Sequence, residues 1–166
     1  MRSIAAAAGV DAALVHHYFG TKDGLLLAAL QPETPEELSQ LVGEGRVGLG
    51  ERFLRLTLQV YGSDYPGGWG TMIGLLRSAS AHADAARLLR ESFEHGGIGR
   101  LVEALGVPQP RLRAALVGAE LVGLTMARYV VRLEPLASAD AESLIAWYAP
   151  ALERYLTGPL AGDEGC

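Results

Sequence analysis

Apolar residues recur at three- and four-residue steps through most of the chain, and no stretch alternates with period two. That is the pattern of amphipathic helices, so an all-α fold is predicted. Residues 48–62 place Leu49, Phe53, Leu56 and Val60 on such steps. The pattern resumes over 69–81 with Trp69, Met72, Ile73 and Leu76, and over 84–95 with Ala85, Leu88, Leu89 and Phe93. A short helix over 98–105 follows the break at His95-Gly96-Gly97. The longest pattern spans 111–133, with a stripe of Leu112, Leu116, Ala119, Gly123, Met126 and Val130. A last helix starts at Ser138 or Asp140 and carries Leu144, Ile145, Trp147, Tyr148, Leu152, Tyr155 and Leu156.

The punctuation between these patterns sets the organisation. The run 31–35, QPETP, separates a small N-terminal unit (1–32) from the body (33–158). Thr34 and Pro35 then suit the start of a helix over about 35–43, with acids in its first turn. Residues 62–68, GSDYPGG, form a loop, Glu134-Pro135 stops the long helix, and Gly158-Pro159 opens a tail over 159–166.

The N-terminal stretch reads as two short helices around a tight turn, followed by a third helix. Ile4, Ala5 and Ala8 lie at helical spacing, and Gly9 supplies a residue able to take positive φ and end the first helix. Asp11 is suited to cap the second helix, which carries Leu14, Val15 and Phe19 at core spacing and leaves Ala12, Ala13, His16, His17 and Tyr18 for other faces. Thr21 caps the third, with Asp23 in its first turn. Two helices joined through a short Gly-containing turn form a helix-turn-helix, whose second member enters a DNA major groove.

The run IAAAAGVDAALVHHYFGTKDGLL resembles the helix-turn-helix of the TetR (tetracycline-repressor-like) transcription regulators. The likeness covers the small-residue first helix, the Gly-Val-Asp turn, the pair Tyr18-Phe19 and the Thr-Lys-acid start of the next helix. It implies an N-terminal DNA-reading unit and a helical C-terminal domain for effector binding and dimerisation. It also implies that Arg2 and Lys22 are DNA contacts beside Ala12, Ala13, His16, His17 and Tyr18. The family carries a further helix ahead of the one that starts at Arg2. With that first family helix missing, Ile4, Val15 and Phe19 are expected to be uncovered. A helical ligand-binding homodimer without DNA-binding activity is the alternative reading.

Composition changes this picture in a few places. The net charge of −5 is not that of a nucleic-acid-binding average, but residues 1–30 balance, with Arg2 and Lys22 against Asp11 and Asp23. The negative excess lies in the body. Thirteen of the fourteen basic residues are arginine, which reads as coding bias rather than function. The one cysteine, Cys166, excludes an intrachain disulfide within this sequence and a multi-cysteine zinc site. No apolar run is expected to reach membrane-spanning length and no signal segment opens the chain, so a cytoplasmic protein with no membrane partner is expected.

Three further sites are expected in or around the body. Leu116, Ala119, Gly123 and Ala127, with Trp147, Tyr148 and Leu152, would form a homodimer interface, two helices from each copy making a four-helix bundle as members of the resembled family do. Phe53, Tyr61, Trp69, Met72, Leu76, Phe93, Met126 and Tyr129 would line a cavity for a small apolar effector, with His82, Arg128 and Tyr129 as polar fixing groups. Ser78 and His82, four apart, share a helical face, but no orienting acid or oxyanion hole accompanies them, so no enzyme is expected. No cofactor is implied. The pair His16–His17 is not a metal site, because adjacent helical positions diverge by roughly 100°.

Overall fold

The computed structural model describes residues 1–29, 35–62 and 68–159. No strand occurs among the described residues, and the chain is all-α. Three short helices open it: α1 (Arg2–Ala8), α2 (Ala12–Phe19) and α3 (Lys22–Ala29). The turn signals act as their chemistry requires. Gly9 ends α1 in the left-handed region at φ 67°, and the N–H groups of Gly9 and Val10 turn back to the Ala6 and Ala5 carbonyls. Asp11 Oδ1 accepts from Ala13 N–H at 2.6 Å, and Thr21 Oγ1 accepts from Gly24 N–H at 3.0 Å.

The body follows as α4 (Pro35–Gly43), α5 (Leu49–Gly62), α6 (Gly68–Ala79), α7 (Ala83–His95), α8 (Gly97–Ala104), α9 (Pro110–Thr125) and α10 (Ala141–Thr157). Helix α9 continues as a π-helical stretch, Met126–Val131, and Arg132 closes it at φ 57°. Asp140, not Ser138, starts α10: its carboxylate accepts from Ser143 N–H at 2.8 Å and from Ser143 Oγ–H at 2.9 Å. Residues 30–34, the loop 63–67 and the tail 160–166 lie outside the described residues.

The principal core lies where α5 runs along α10. Leu49, Phe53 and Leu54 pack there with Leu144, Ile145, Leu152 and Leu156, joined by Leu101 and Val102 of α8 and Val117 and Leu124 of α9. At the closest approach a side chain on Gly50 would strike the Ala149 carbonyl and the Glu153 backbone, so only glycine fits. Glu153 seals this junction, accepting from Gly48 N–H at 2.9 Å and Gly50 N–H at 2.6 Å. Arg55 ties the other end, with Nη1 2.6 Å and Nη2 3.1 Å from the Glu142 carboxylate. A second cluster forms between α6 and α7, from Met72, Leu75, Leu76 and Leu88, with Val122 and Met126 packed against it.

The span Pro110–Val131 corrects one expectation. At 22 residues it is long and apolar enough, by length and composition, to cross a membrane. It is nonetheless a packed helix of this domain. Its fully buried Arg113 donates from Nε to the Pro108 carbonyl at 2.7 Å and from Nη1 to the Tyr155 carbonyl at 2.9 Å. The helix's apolar character reflects burial on one face and a second face left open by this chain alone.

Candidate functional site

The Asp11 cap fixes where α2 begins and hence what each position faces. Val15 packs inward and is buried, where exposure was expected. Leu14, expected in the core, is 50% exposed, because it lies about 100° round the helix from Val15. Ile4 and Phe19 are exposed as expected, and of the α1 residues only Ala5 is buried. Opposite Val15 stand Ala13 and His17, with His16 on one flank and Ala12 half-buried beyond it. Tyr18 is 72% exposed and its ring meets the His17 ring edge-on, centroids 5.4 Å apart. Arg2 opens α1 and Lys22 opens α3, both exposed. The seven residues expected to meet DNA thus share the chain's N-terminal tip, and six of them are open to solvent.

The face expected to form a dimer divides in two. Ala119 and Gly123 on α9 point away from the core, Leu116 and Ala127 are half-buried, and open space surrounds the place of a Gly123 side chain. Leu112, one turn earlier, is half exposed. On α10, Trp147 is 83% exposed. Tyr148 is half-buried, and burial, followed by the nearby Glu120 carboxylate, pushes its phenol above the ordinary range. Leu152 does not belong with them. It is fully buried in the core that α10 shares with α5, because it continues the inward row of Ile145, Ala149 and Leu156. Beside Trp147 an open apolar cavity of about 460 Å³ is lined by Pro135, Leu136, Leu144 and Tyr148 together with Ser138 and Ser143. The sequence reading missed it. The adjacent pair Trp147-Tyr148 was the only signal, and the loop that folds over them carries no pattern.

The residues expected to line an effector cavity also separate. Met72, Leu76 and Met126 meet in the α6–α7 cluster. Phe53 belongs instead to the principal core, and Phe93 packs against that core and against Gly118. Tyr129 is half-buried in the π-helical stretch, where the Arg128 guanidinium lies 5.5 Å from its ring centroid. Arg128 Nη1 donates to the Leu136 carbonyl at 2.7 Å. Tyr61 and Trp69 sit in α5 and α6, but their side chains lie outside the described residues. Ser78 and His82 do not share a helix: α6 stops at Ala79, and exposed His82 precedes α7 with Nδ1 3.3 Å from the Ser78 carbonyl.

Two family models match this chain. Residues 1–29 match the bacterial regulatory proteins of the tetR family, and residues 48–156 match the tetracyclin repressor-like C-terminal domain. The chain belongs to the TetR family of transcriptional regulators. A TetR-family regulator from Streptomyces coelicolor A3, solved by crystallography, is 35% identical to it; the alignment covers 92% of this chain and 80% of that one, with a TM-score of 0.52. No curated protein matches the chain. TetR-family regulators bind DNA and ligands, act as dimers and are generally not enzymes. The first matched segment covers the α1–α3 tip, and the second runs from the start of α5 almost to the end of α10.

Proposed function

We propose that this TetR-family chain is a ligand-responsive repressor that binds palindromic operator DNA as a homodimer and is released by a small apolar effector. The DNA-reading unit is 1–32, the effector and dimerisation unit 33–158, and 159–166 a tail. The reading rests above all on α2: an Asp11-capped helix in the tetR-type segment, packed inward through Val15, with Ala13, His16, His17 and Tyr18 left outward. Small residues near its start let the backbone approach base edges, and an alanine methyl can meet a thymine methyl. Arg2 and Lys22 flank it as base or phosphate contacts, the latter at a helix N-terminus.

The homodimer is supported by the α9–α10 face, where Leu116, Ala119, Gly123, Ala127, Trp147 and Tyr148 remain available to a second copy. Effector binding is assigned to the α6–α7 cluster and the π-helical stretch beside it, with Met72, Leu76, Met126 and Tyr129 as lining residues. Tyr61 and Trp69 complete the candidate set, while Phe53 packs in the principal core, Phe93 packs against it and exposed His82 lies ahead of α7. The π-helical stretch that ends α9 is the kind of irregularity frequently found at functional sites. The effector acts only if it binds the two spacings of the recognition helices with different affinity. The protein is expected in the cytoplasm.

Selection of duplexes from a randomised pool tests the reading. A near-palindrome should emerge, its half-sites related by the dimer two-fold, and affinity should fall steeply with salt as counterions are released. Failure to enrich any sequence, with the chain folded and dimeric, would overturn operator binding.

A further inference from the structure

The charge of the tip is unusual for a surface that meets phosphate. Residues 1–30 carry Arg2 and Lys22 as their only permanent cations, and Asp11 and Asp23 cancel them. Besides the Met1 amino group at the cap of α1, two side chains can become cationic there, His16 and His17, adjacent on α2 and both exposed. Imidazole is the side chain whose ordinary titration falls between about pH 5 and 8. Protonating both would take the side-chain charge of the tip from balance to a positive excess.

We infer that His16 and His17 make operator affinity depend on pH: the tip takes up protons when it binds DNA, so binding tightens as the medium becomes mildly acidic. The inference rests on α2 being the DNA-facing helix.

The surroundings of the two rings favour this. Helix α2 packs against α1 and α3. The only ionisable side chain on α1 is Arg2, and α3 brings Lys22 and Asp23, the last with its side chain outside the described residues. On α2 and its cap, Asp11 is engaged by Ala13 N–H, and Tyr18 presents a ring edge contact to His17. Both histidines occupy the last turn of α2. Phosphate oxygens drawn up to this face would stabilise the imidazolium form further, because a nearby opposite charge favours the charged state. Binding and proton uptake are then linked, and each strengthens the other. A direct hydrogen bond from an imidazolium N–H to phosphate is also charge-assisted at both ends.

The test uses the full chain and a fluorescent duplex enriched by it from a randomised pool at pH 7.0. Anisotropy titrations at constant ionic strength are compared between pH 8.0 and 6.0. Affinity should rise about tenfold or more over that interval for the unaltered chain. The salt dependence should steepen by about 1–2 at the acid end, since each neutralised phosphate contributes about 0.9 to the slope. The His16→Gln/His17→Gln double variant keeps hydrogen-bonding capacity and should lose most of the pH effect, although His82 and His95 remain. His17→Arg carries a permanent charge, so it should bind at pH 8.0 more nearly as the unaltered chain does at pH 6.0. Equal affinity at both pH values, with specific binding intact, overturns the inference and leaves the operator reading standing. So does an unchanged pH effect in the double Gln variant. Absence of specific binding at either pH overturns the operator reading and the inference together.

Discussion

At the scale of single residues, the caps are where local chemistry decides most. Asp11 holds one of the free N–H groups of α2, and α2 has little else, since Val15 is its one buried residue. Asp11→Ala should cost the tip about 1 kcal/mol. Amide exchange over 12–19 should accelerate about fivefold, which hydrogen exchange with mass spectrometry would read. Asp140 does the same for α10 and adds a pH signature. Hydrogen bonds from Ser143, the backbone N–H first and the hydroxyl second, hold its carboxyl below the ordinary value of 3.8. A depressed folded value means that its contribution is complete above the ordinary carboxylate range and is lost as pH falls through the folded value. Glu142, held down by Arg55, adds in the same direction. Acid melts of Asp140→Asn should therefore show a flatter loss of stability below about pH 4 than the unaltered chain. Asp11 was legible in the sequence, because a cap is a contact over two or three residues and needs no knowledge of the fold, whereas Asp140 was one of two candidates beside Ser138. Arg113 was not legible. Nothing local distinguishes an arginine that donates to the carbonyls of Pro108 and Tyr155 from one in solvent.

At the scale of elements, periodicity located the helices but not which apolar face turns inward. Helix α10 shows why. Its apolar set is wider than one stripe, and Trp147 and Leu152 were assigned to one interface, although five positions apart they point to different sides. In the fold Leu152 is fully buried against α5, while Trp147 is 83% exposed. The two substitutions should separate accordingly. Leu152→Ala should lose about 2–5 kcal/mol in denaturant unfolding, the range for a truncated core leucine. Trp147→Ala should leave the core intact and act on dimerisation instead. On α9, Gly123→Leu is the sharper probe. Open space surrounds that position within the chain, and leucine is a better helix former than glycine, so the fold itself tolerates the change. Sedimentation of this variant should show a folded monomer. An unchanged dimer would remove the small-residue row from the interface. The α6–α7 cluster was harder to read for the same reason. Met72, Leu76 and Met126 converge, but Phe53 carries the same apolar spacing and serves the other core.

At the scale of the whole molecule, burial is distributed unevenly, and that sets how the two ends behave. The body ties α5, α8, α9 and α10 into one core, closed by Glu153 at the α5–α10 junction. The α1 and α2 helices bury only Ala5 and Val15, while Ile4, Val10, Leu14 and Phe19 are each at least 38% exposed. Apolar burial this small offsets little of the entropy lost in ordering two short helices, so the tip should open locally while the body stays folded. The contact of α3 with α7 gives the tip its described attachment to the body, and α7 also supplies Leu88 to the α6–α7 cluster. Amide exchange should be fast over 2–19 and slow over 111–125 and 141–157. Saturating operator DNA should slow exchange over 2–19 well beyond its effect on the body, because DNA binds only the ordered tip and stabilises it by mass action. Full protection of the tip without DNA would show that these helices are held by contacts stronger than the burial of Ala5 and Val15, and would overturn this account of the tip.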